Sequence, residues 1–324
     1  MRAFALLLIP LLLACSGVLD DPSTAGDDTS GADEPSAVDI LLVVDPSGSM
    51  ATESSAVLLG LEAALDGLDG LEWQIAITTT SADPSRGRTS GVDPGEAGTL
   101  TAGVVAFGDD DRLERLRAAL ACDTIYWRDA DLRSDPGYAG SPGDCPLPED
   151  GEVVEQYLQC LCPTGWVDDE GAGNEEGLEA ALDTLCRAAG DPPGGCWDET
   201  APISGEDGHS VAGFLRDDTD TLVVILSDEG DGSRRAPTGT ADADAYVSTL
   251  AEFATPVRVS VLGPAYHDQD GTCLDGAQTW GVERYQQAAD ATGGLYVELT
   301  DPADACAPSD VAAGLRAIFE DASD

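Results

Sequence analysis

The stretch VDILLVVDPSGS, residues 38–49, decides the fold of this chain. Its apolar part, residues 38–44, has the length and the β-branched content of a buried strand. Asp45, Ser47 and Ser49 follow at alternate positions on a turn that Gly48 permits. A carboxylate and two hydroxyls are hard oxygen donors, which suit a divalent cation such as Mg²⁺; Mn²⁺ and Ca²⁺ accept the same donors. The stretch therefore predicts a metal site where a buried strand ends.

A second apolar run ends in a similar way. Residues 222–226 lead directly into Ser227-Asp228-Glu229-Gly230. In open α/β sheets, ligands bind at the carboxyl ends of the strands. Asp228 is therefore predicted to lie at the same sheet edge as Asp45.

Asp45-x-Ser47-x-Ser49 resembles the metal-ion-dependent adhesion motif of von Willebrand factor type A (VWA) domains, and Asp228 fits the family's second carboxylate. The family's middle motif is a Thr on a loop before a helix. Residues 171–178, GAGNEEGL, occupy its place without a Thr, so either Asn174 or Glu175 would supply that oxygen. The resemblance covers roughly residues 38–321. The chain also resembles the Cys-containing bacterial lipoproteins of the myxobacterial type that carry such a domain.

The resemblance also implies how the site works. Ser47 and Ser49 would bind the metal directly, and Asp45 and Asp228 would act largely through water. One coordination position would stay open for an Asp or Glu carboxylate of a partner protein or peptide. Coordination by Glu175 would weaken the capture of an acidic partner and would favour Ca²⁺ or a structural metal.

The rest of the pattern predicts an α/β fold, because strands alternate with helices. We expect a doubly wound, mostly parallel sheet flanked by helices, of the VWA or Rossmann-like kind, and the resemblance adds one antiparallel edge strand. The predicted strands are residues 38–44, 71–78, 98–107, 222–226, 257–262 and 294–299. Helices are predicted at 57–68, 241–253, 282–291 and 311–319, with shorter helical patterns at 113–120 and 178–185. The domain is expected to span residues 37–324, with a disulfide-rich insertion at about 108–200.

The first residues are typical of an exported lipoprotein. Residues 1–14 have a short positive start and an apolar core too short to span a membrane. They end in Leu12-Leu13-Ala14-Cys15, which is similar to a bacterial lipobox, so Cys15 is predicted to be acylated. Residues 15–36 form a flexible acidic tether. We therefore expect a protein of the bacterial cell envelope, lipid-anchored and held in the outer membrane.

The remaining eight cysteines predict disulfides in an exported chain, up to four of them. Cys273 and Cys306 both follow the fourth core strand and are expected to pair with each other. A zinc site is not expected, because the only histidines, His209 and His267, have no ligand spacing.

The charge excludes nucleic acid as a partner. The chain has 62 acidic residues and 15 basic ones, all of them Arg, for a formal net charge of −47. Nucleic-acid binding depends on neutralising phosphates with Lys and Arg.

Together these features predict a surface-anchored, metal-dependent, adhesion-type protein-binding module and not an enzyme. One alternative is a structural subunit of an envelope complex with a degenerate metal site. A metal-dependent hydrolase is another, since a bound cation can activate water. The sequence offers no Ser-His-Asp or Cys-His set near the motifs to support that reading.

Overall fold

The structure, a computed structural model, describes residues 37–47, 50–80, 104–124, 145, 157, 160, 175–196, 213–234, 237, 242–264, 281–301, 307–308 and 310–323. These residues all belong to the unit Pro35–Asp324. The predicted signal segment, Cys15 and the tether lie outside the described residues. So do Ser49 and Asn174.

The strands are β1 (Ala37–Val44), β2 (Glu72–Thr79), β3 (Val105–Ala106), β4 (Asp220–Leu226), β5 (Val257–Gly263), β6 (Tyr296–Glu298), β7 (Thr300–Asp301) and β8 (Ala307–Pro308). The helices are α1 (Ala51–Leu65), α2 (Arg112–Thr124), α3 (Gly177–Ala188), α4 (Ala243–Leu250), α5 (Val282–Thr292) and α6 (Val311–Asp321). A 3₁₀ turn, Asp66–Leu68, follows α1.

The main sheet has the strand order β3-β2-β1-β4-β5-β6. Strand β1 pairs in parallel with both β2 and β4, and only β3 in this sheet runs antiparallel, against β2. This confirms the predicted mostly parallel α/β sheet with one antiparallel edge strand. The predicted strand 98–107 is described only from residue 104 onward, where β3 is two residues long.

Strand β1 is buried on both faces because it lies inside the sheet. Ile40 and Leu42 pack with α1, α2 and α6 on one face. Leu41 and Val43 pack with α3, α4 and α5 on the other. Fully burying each such side chain contributes roughly 1.5–3 kcal/mol. A nearly continuous apolar run is typical of a strand that is buried on both faces, as β1 is.

The two helices at the ends of the predicted insertion, α2 and α3, pack on opposite faces of the main sheet. Leu116 and Leu120 of α2 lie in the first core cluster, and Leu178 and Leu182 of α3 lie in the second. Both helices flank the sheet, and most of the Cys-rich segment between them lies outside the described residues.

Two disulfides are present among the described residues, Cys145–Cys160 and Cys186–Cys196. The second ties the last turn of α3 to the segment that follows it. The predicted Cys273–Cys306 pair falls outside the described residues.

Near the amino ends of β1 and β2, an ion pair between a buried carboxylate and a partly exposed arginine holds the loop that precedes β4. Asp39, fully buried, accepts from Arg216 Nε at 2.6 Å and from the Arg216 backbone N–H at 2.8 Å. The same guanidinium donates to the carbonyls of Val38 and Glu72. Burial raises the pKa of the Asp39 carboxyl, and its bonds from Arg216 oppose that rise.

Among the described residues, no helix combines the length and the apolar character needed to cross a membrane.

Candidate metal centre

Asp45 lies at the point where the strand order reverses, between β1 and β4. Its backbone N–H donates to the Leu226 carbonyl at 2.9 Å, so the turn begins while the chain is still tied to β4. The side chain is fully buried. One carboxylate oxygen accepts from the Ser47 N–H at 2.7 Å and the other from the Ser227 hydroxyl at 2.8 Å. These bonds fix the orientation of the carboxylate.

Ser227 links the two predicted motifs directly. Besides donating to Asp45, its hydroxyl accepts from the Glu229 N–H at 3.1 Å. Asp228 lies between them, half-buried, and acts electrostatically on Asp45. Asp45 and Asp228 therefore follow two neighbouring parallel strands, at the same edge of the sheet. Sequence reasoning missed Ser227, although its position directly after a buried strand was a usable signal.

Glu175 reaches the same region from the segment before α3. Its carboxylate accepts from the Thr80 hydroxyl at 2.6 Å, and the next backbone N–H, of Glu176, donates to the Thr80 carbonyl at 2.9 Å. Its own carbonyl accepts from the Gly232 N–H. Glu175 is thus held between the end of β2 and the loop after β4. Thr80 was not predicted as a site residue, although it follows β2 in the same way that Asp45 follows β1.

The carboxylates at this edge repel one another. Burial is the larger cause that raises the pKa of Asp45 to about 7, and the charge of Asp228 adds to it. Burial and then the charge of Asp45 raise the pKa of Glu175 to about 10. Burial and the charge of Asp228 also raise the pKa of Glu229. In the described part of the chain, no Arg forms an ion pair with Asp45 or Glu175.

Glu53 adds a further carboxylate from the first turn of α1. Burial raises the pKa of Glu53, and Asp228 is among the charges that act on it. One of its oxygens is buried and has no hydrogen-bond partner within the described residues. Ser47 lies half-buried on the turn between β1 and α1.

The loop after β4 also caps α3. An Asp231 oxygen accepts from the Leu178 N–H at 3.2 Å, and the Ser233 hydroxyl accepts from the Glu179 N–H at 2.9 Å. These are two of the amide groups that a helix leaves unsatisfied at its start. The loop that carries Asp228 is therefore bonded to the helix that Glu175 precedes.

Asp231, on the loop after β4, is paired with a cation. Arg284 of α5 pairs with it at 3.1 Å and donates to the Ser233 carbonyl at 2.8 Å. The guanidinium also lies over the Tyr246 ring, 5.7 Å from its centroid. The chain approaches so closely here that a Cβ on Gly281 would lie 2.4 Å from the Asp231 carbonyl oxygen, and Gly281 has a φ of +91°. Only glycine fits this contact without strain.

The donor set at the strand ends consists of carboxylates and hydroxyls, which suits a hard divalent cation. Among the described residues, no three His, Cys, Asp or Glu side chains form a group that could hold a metal ion by themselves. A cation here would therefore also need oxygens from Ser47, from water and from residues beyond the described ranges, such as Ser49. The chemistry of the residues fits a metal of this class.

No protein-family model and no curated protein matches this chain. Solved structures that resemble it include proximal thread matrix protein 1 of mussel byssus, with 11% identity and a TM-score of 0.35 over 89% of this chain and 48% of that one. The pilus adhesin SpaC of Lactobacillus rhamnosus GG has 14% identity and a TM-score of 0.38, over 89% of this chain and 30% of that one.

A third is BatB, a conserved hypothetical protein of Bacteroides thetaiotaomicron, with 12% identity and a TM-score of 0.32 over 89% of this chain and 98% of that one. The chain spans about half the length of the mussel protein and about a third of the adhesin. At these TM-scores the likenesses carry no argument about function.

Proposed function

We propose that this protein is a divalent-metal-dependent protein-binding module of the VWA type. The observation that carries the proposal is the meeting of Asp45, Glu175 and Asp228 with serine and threonine hydroxyls at the carboxyl ends of the central strands. Such an edge is where open α/β sheets bind ligands. The like charges that act on Asp45 and Glu175 there are relieved when a cation binds.

The VWA assignment is supported by two features together. One is Asp45-x-Ser47-x-Ser49 after β1, with Asp228 after the neighbouring strand β4. The other is the sheet, in which β1 is central and the edge strand β3 is antiparallel. Of the two candidates for the middle motif, Glu175 is the one that we propose as a ligand, because its carboxylate lies near Asp45 and Asp228.

The proposed partner is a protein or peptide that offers an Asp or Glu carboxylate to the metal, and Glu175 as a ligand would make that capture weaker than a neutral Thr would. We further propose that the module is held in the bacterial cell envelope by lipid on Cys15, in the outer membrane, because residues 1–15 resemble a lipoprotein signal. Electrostatic repulsion from a net charge of −47 argues against nucleic acid.

One observation favours the alternative of a structural envelope subunit with a degenerate metal site. The described acidic side chains do not form a metal-holding group by themselves. In that case the strand-end cluster would bind no cation specifically, and the fold would serve only as a packing unit.

Calorimetric titration of Mg²⁺, Mn²⁺ and Ca²⁺ into the full chain tests the proposal. We expect saturable binding that is lost in Asp45→Asn and Asp228→Asn. Asp220→Asn is the matched control, because Asp220 is exposed and begins the same strand that Asp228 follows. Equal heats in all four proteins would indicate nonspecific binding to an acidic surface and would favour the structural subunit.

A further inference from the structure

The loop after β4, residues 227–234, carries Asp228 and is bonded to the starts of two helices. From the side of α3, the Leu178 N–H donates to the Asp231 carboxylate at 3.2 Å. From the side of α5, the Gly281 carbonyl accepts from the Asp231 N–H at 3.3 Å. Asp231 is fully buried and follows Asp228 closely in the same loop. The position of the loop therefore depends on both helices.

Arg284, in the first turn of α5, is the cation that contacts this loop. One terminal nitrogen of its guanidinium donates to the carbonyls of Asp231 and Ser233 at 3.2 and 2.8 Å. The other lies 3.1 Å from the Asp231 carboxylate. A planar guanidinium that contacts two carbonyls and a carboxylate of one loop holds that loop in one arrangement. Without Arg284, Asp231 would keep a buried charge that has lost its arginine, which favours movement of the loop.

Gly281, directly before α5, sets the closest approach of the helix to the loop. It has a φ of +91°, and a Cβ there would lie 2.4 Å from the Asp231 carbonyl oxygen and 2.9 Å from the Asp231 nitrogen. Both are backbone atoms, so a larger residue would displace the loop itself. Gly293, at the other end of α5, also has a positive φ, +76°, but no atom of the described residues lies within 4 Å of its Cβ position. The two glycines therefore separate backbone strain from displacement of the loop.

We infer that the start of α5 positions the proposed metal site. Arg284 and Gly281 are positioning residues, which act through the loop after β4 and do not bind the cation. Ser227, in the same loop, donates to Asp45 at 2.8 Å, so a shift of the loop changes the setting of Asp45 as well as that of Asp228. Removing a group that orients metal ligands typically lowers metal affinity by about 10- to 100-fold. The inference rests on the proposed function.

The first test is calorimetric titration of Mg²⁺, Mn²⁺ and Ca²⁺ into the full chain with its disulfides intact. Arg284→Met removes the cation and keeps an apolar stem, and Gly281→Ala displaces the loop without changing any charge. The matched control for the first is Arg216→Met, which takes the arginine from a buried aspartate, Asp39, near the opposite edge of the sheet. The matched control for the second is Gly293→Ala, which strains the other end of the same helix.

We expect Arg284→Met and Gly281→Ala to weaken binding of the ion that wild type binds most tightly by about tenfold or more. Arg216→Met and Gly293→Ala should change that affinity by less than about twofold, because they lie away from the loop. A merely structural role of Arg284 would lower stability in both arginine variants and affinity in neither. Arg284→Lys, which keeps the charge, should recover part of the lost affinity.

The second test needs no cation. With a metal chelator present, the backbone amides of residues 228–233 and of Leu178 should exchange hydrogen faster in Arg284→Met and Gly281→Ala than in wild type, because the loop opens locally. Gly293→Ala should leave the exchange of these amides unchanged. If Arg284→Met does not fold, the comparison of Gly281→Ala with Gly293→Ala decides alone.

Two sets of results would overturn the inference. If Gly281→Ala and Arg284→Met bind the ion as tightly as wild type, or if neither speeds exchange in the loop, α5 does not position the site, although the metal-dependent module stands. If wild type binds none of the three ions saturably, the proposed function fails and the inference fails with it.

Discussion

A fully buried aspartate lies near each end of β1, Asp39 inside the strand and Asp45 directly after it, and their surroundings differ. At the amino end, Arg216 gives Asp39 a salt bridge and a backbone hydrogen bond. At the carboxyl end, the hydrogen bonds that Asp45 accepts from described residues come from Ser47 and Ser227, and Asp228 is nearby as a like charge. The comparison teaches that this fold compensates a buried acid internally where it is structural and leaves it uncompensated where a cation is proposed to bind.

The largest effect should come from removing the Asp39–Arg216 ion pair near the amino end of β1. Asp39→Ala leaves a partly buried Arg216 without its carboxylate, so we expect a loss of about 3 kcal/mol in the free energy of unfolding. Urea denaturation in the presence of a metal chelator measures this change in the free energy of unfolding. The double change Asp39→Ala with Arg216→Met should recover part of the loss, because no uncompensated charge remains. A loss below about 0.5 kcal/mol would mean that the pair is not structural.

Removing the charge at the other end should have the opposite sign. In chelator at pH 8, Asp45→Asn is expected to stabilise the protein by about 2 kcal/mol, because it removes a buried carboxylate that a like charge destabilises. The same variant should lose specific metal binding. Destabilisation comparable to that of Asp39→Ala would contradict the contrast between the two ends.

The pH dependence of stability sharpens the comparison. Because the pKa of Asp45 is raised from 3.8 to about 7, the folded state binds more protons than the unfolded state between those values. Stability in chelator should therefore fall as pH rises from about 4 to about 7, by up to roughly 1 kcal/mol per pH unit from Asp45. Glu175, with its pKa raised to about 10, extends the same trend to higher pH.

The measurement is urea denaturation of wild type and Asp45→Asn at several pH values. The difference between the two proteins isolates Asp45 from the general repulsion of an acidic chain. Parallel pH curves would show that the pKa of Asp45 is not raised.

The smallest effects should distinguish two buried threonines. Thr80→Val removes the hydroxyl that bonds Glu175 and is expected to destabilise the protein by about 1 kcal/mol. Thr221, near the amino end of β4, has a buried hydroxyl without a hydrogen-bond partner among the described residues. Thr221→Val should therefore be neutral or slightly stabilising. Equal losses in thermal unfolding would show that the Thr80 bond contributes nothing specific.

Much of the fold could be predicted because its signals are local. The apolar run before Asp45 has a strand's length and lies in the middle of the sheet, and the predicted helices 282–291 and 311–319 match α5 and α6 closely. The start of α1 was predicted too late, at residue 57 instead of Ala51, because its first turn is polar and carries no apolar periodicity. The edge strand β3 is short where it is described, and edge strands have fewer partners to fix their length.

The site was predicted in part. Asp45 and Asp228 each follow a buried strand, so their meeting follows from parallel pairing alone. The choice between Asn174 and Glu175 could not be made from spacing. The contact that supports Glu175 comes from Thr80, 95 residues away, whose hydroxyl donates to it.

The sequence by itself determined the elements and the edge of the sheet at which the motifs meet, because hydrophobic periodicity and strand-end chemistry act between near neighbours. Tertiary structure alone decided how the buried charges are compensated. Arg216 lies 177 residues from Asp39, and Ser227 lies 182 residues from Asp45. No local pattern pairs such residues, since only the closing of the sheet removes water from both and makes the partner of each carboxylate matter.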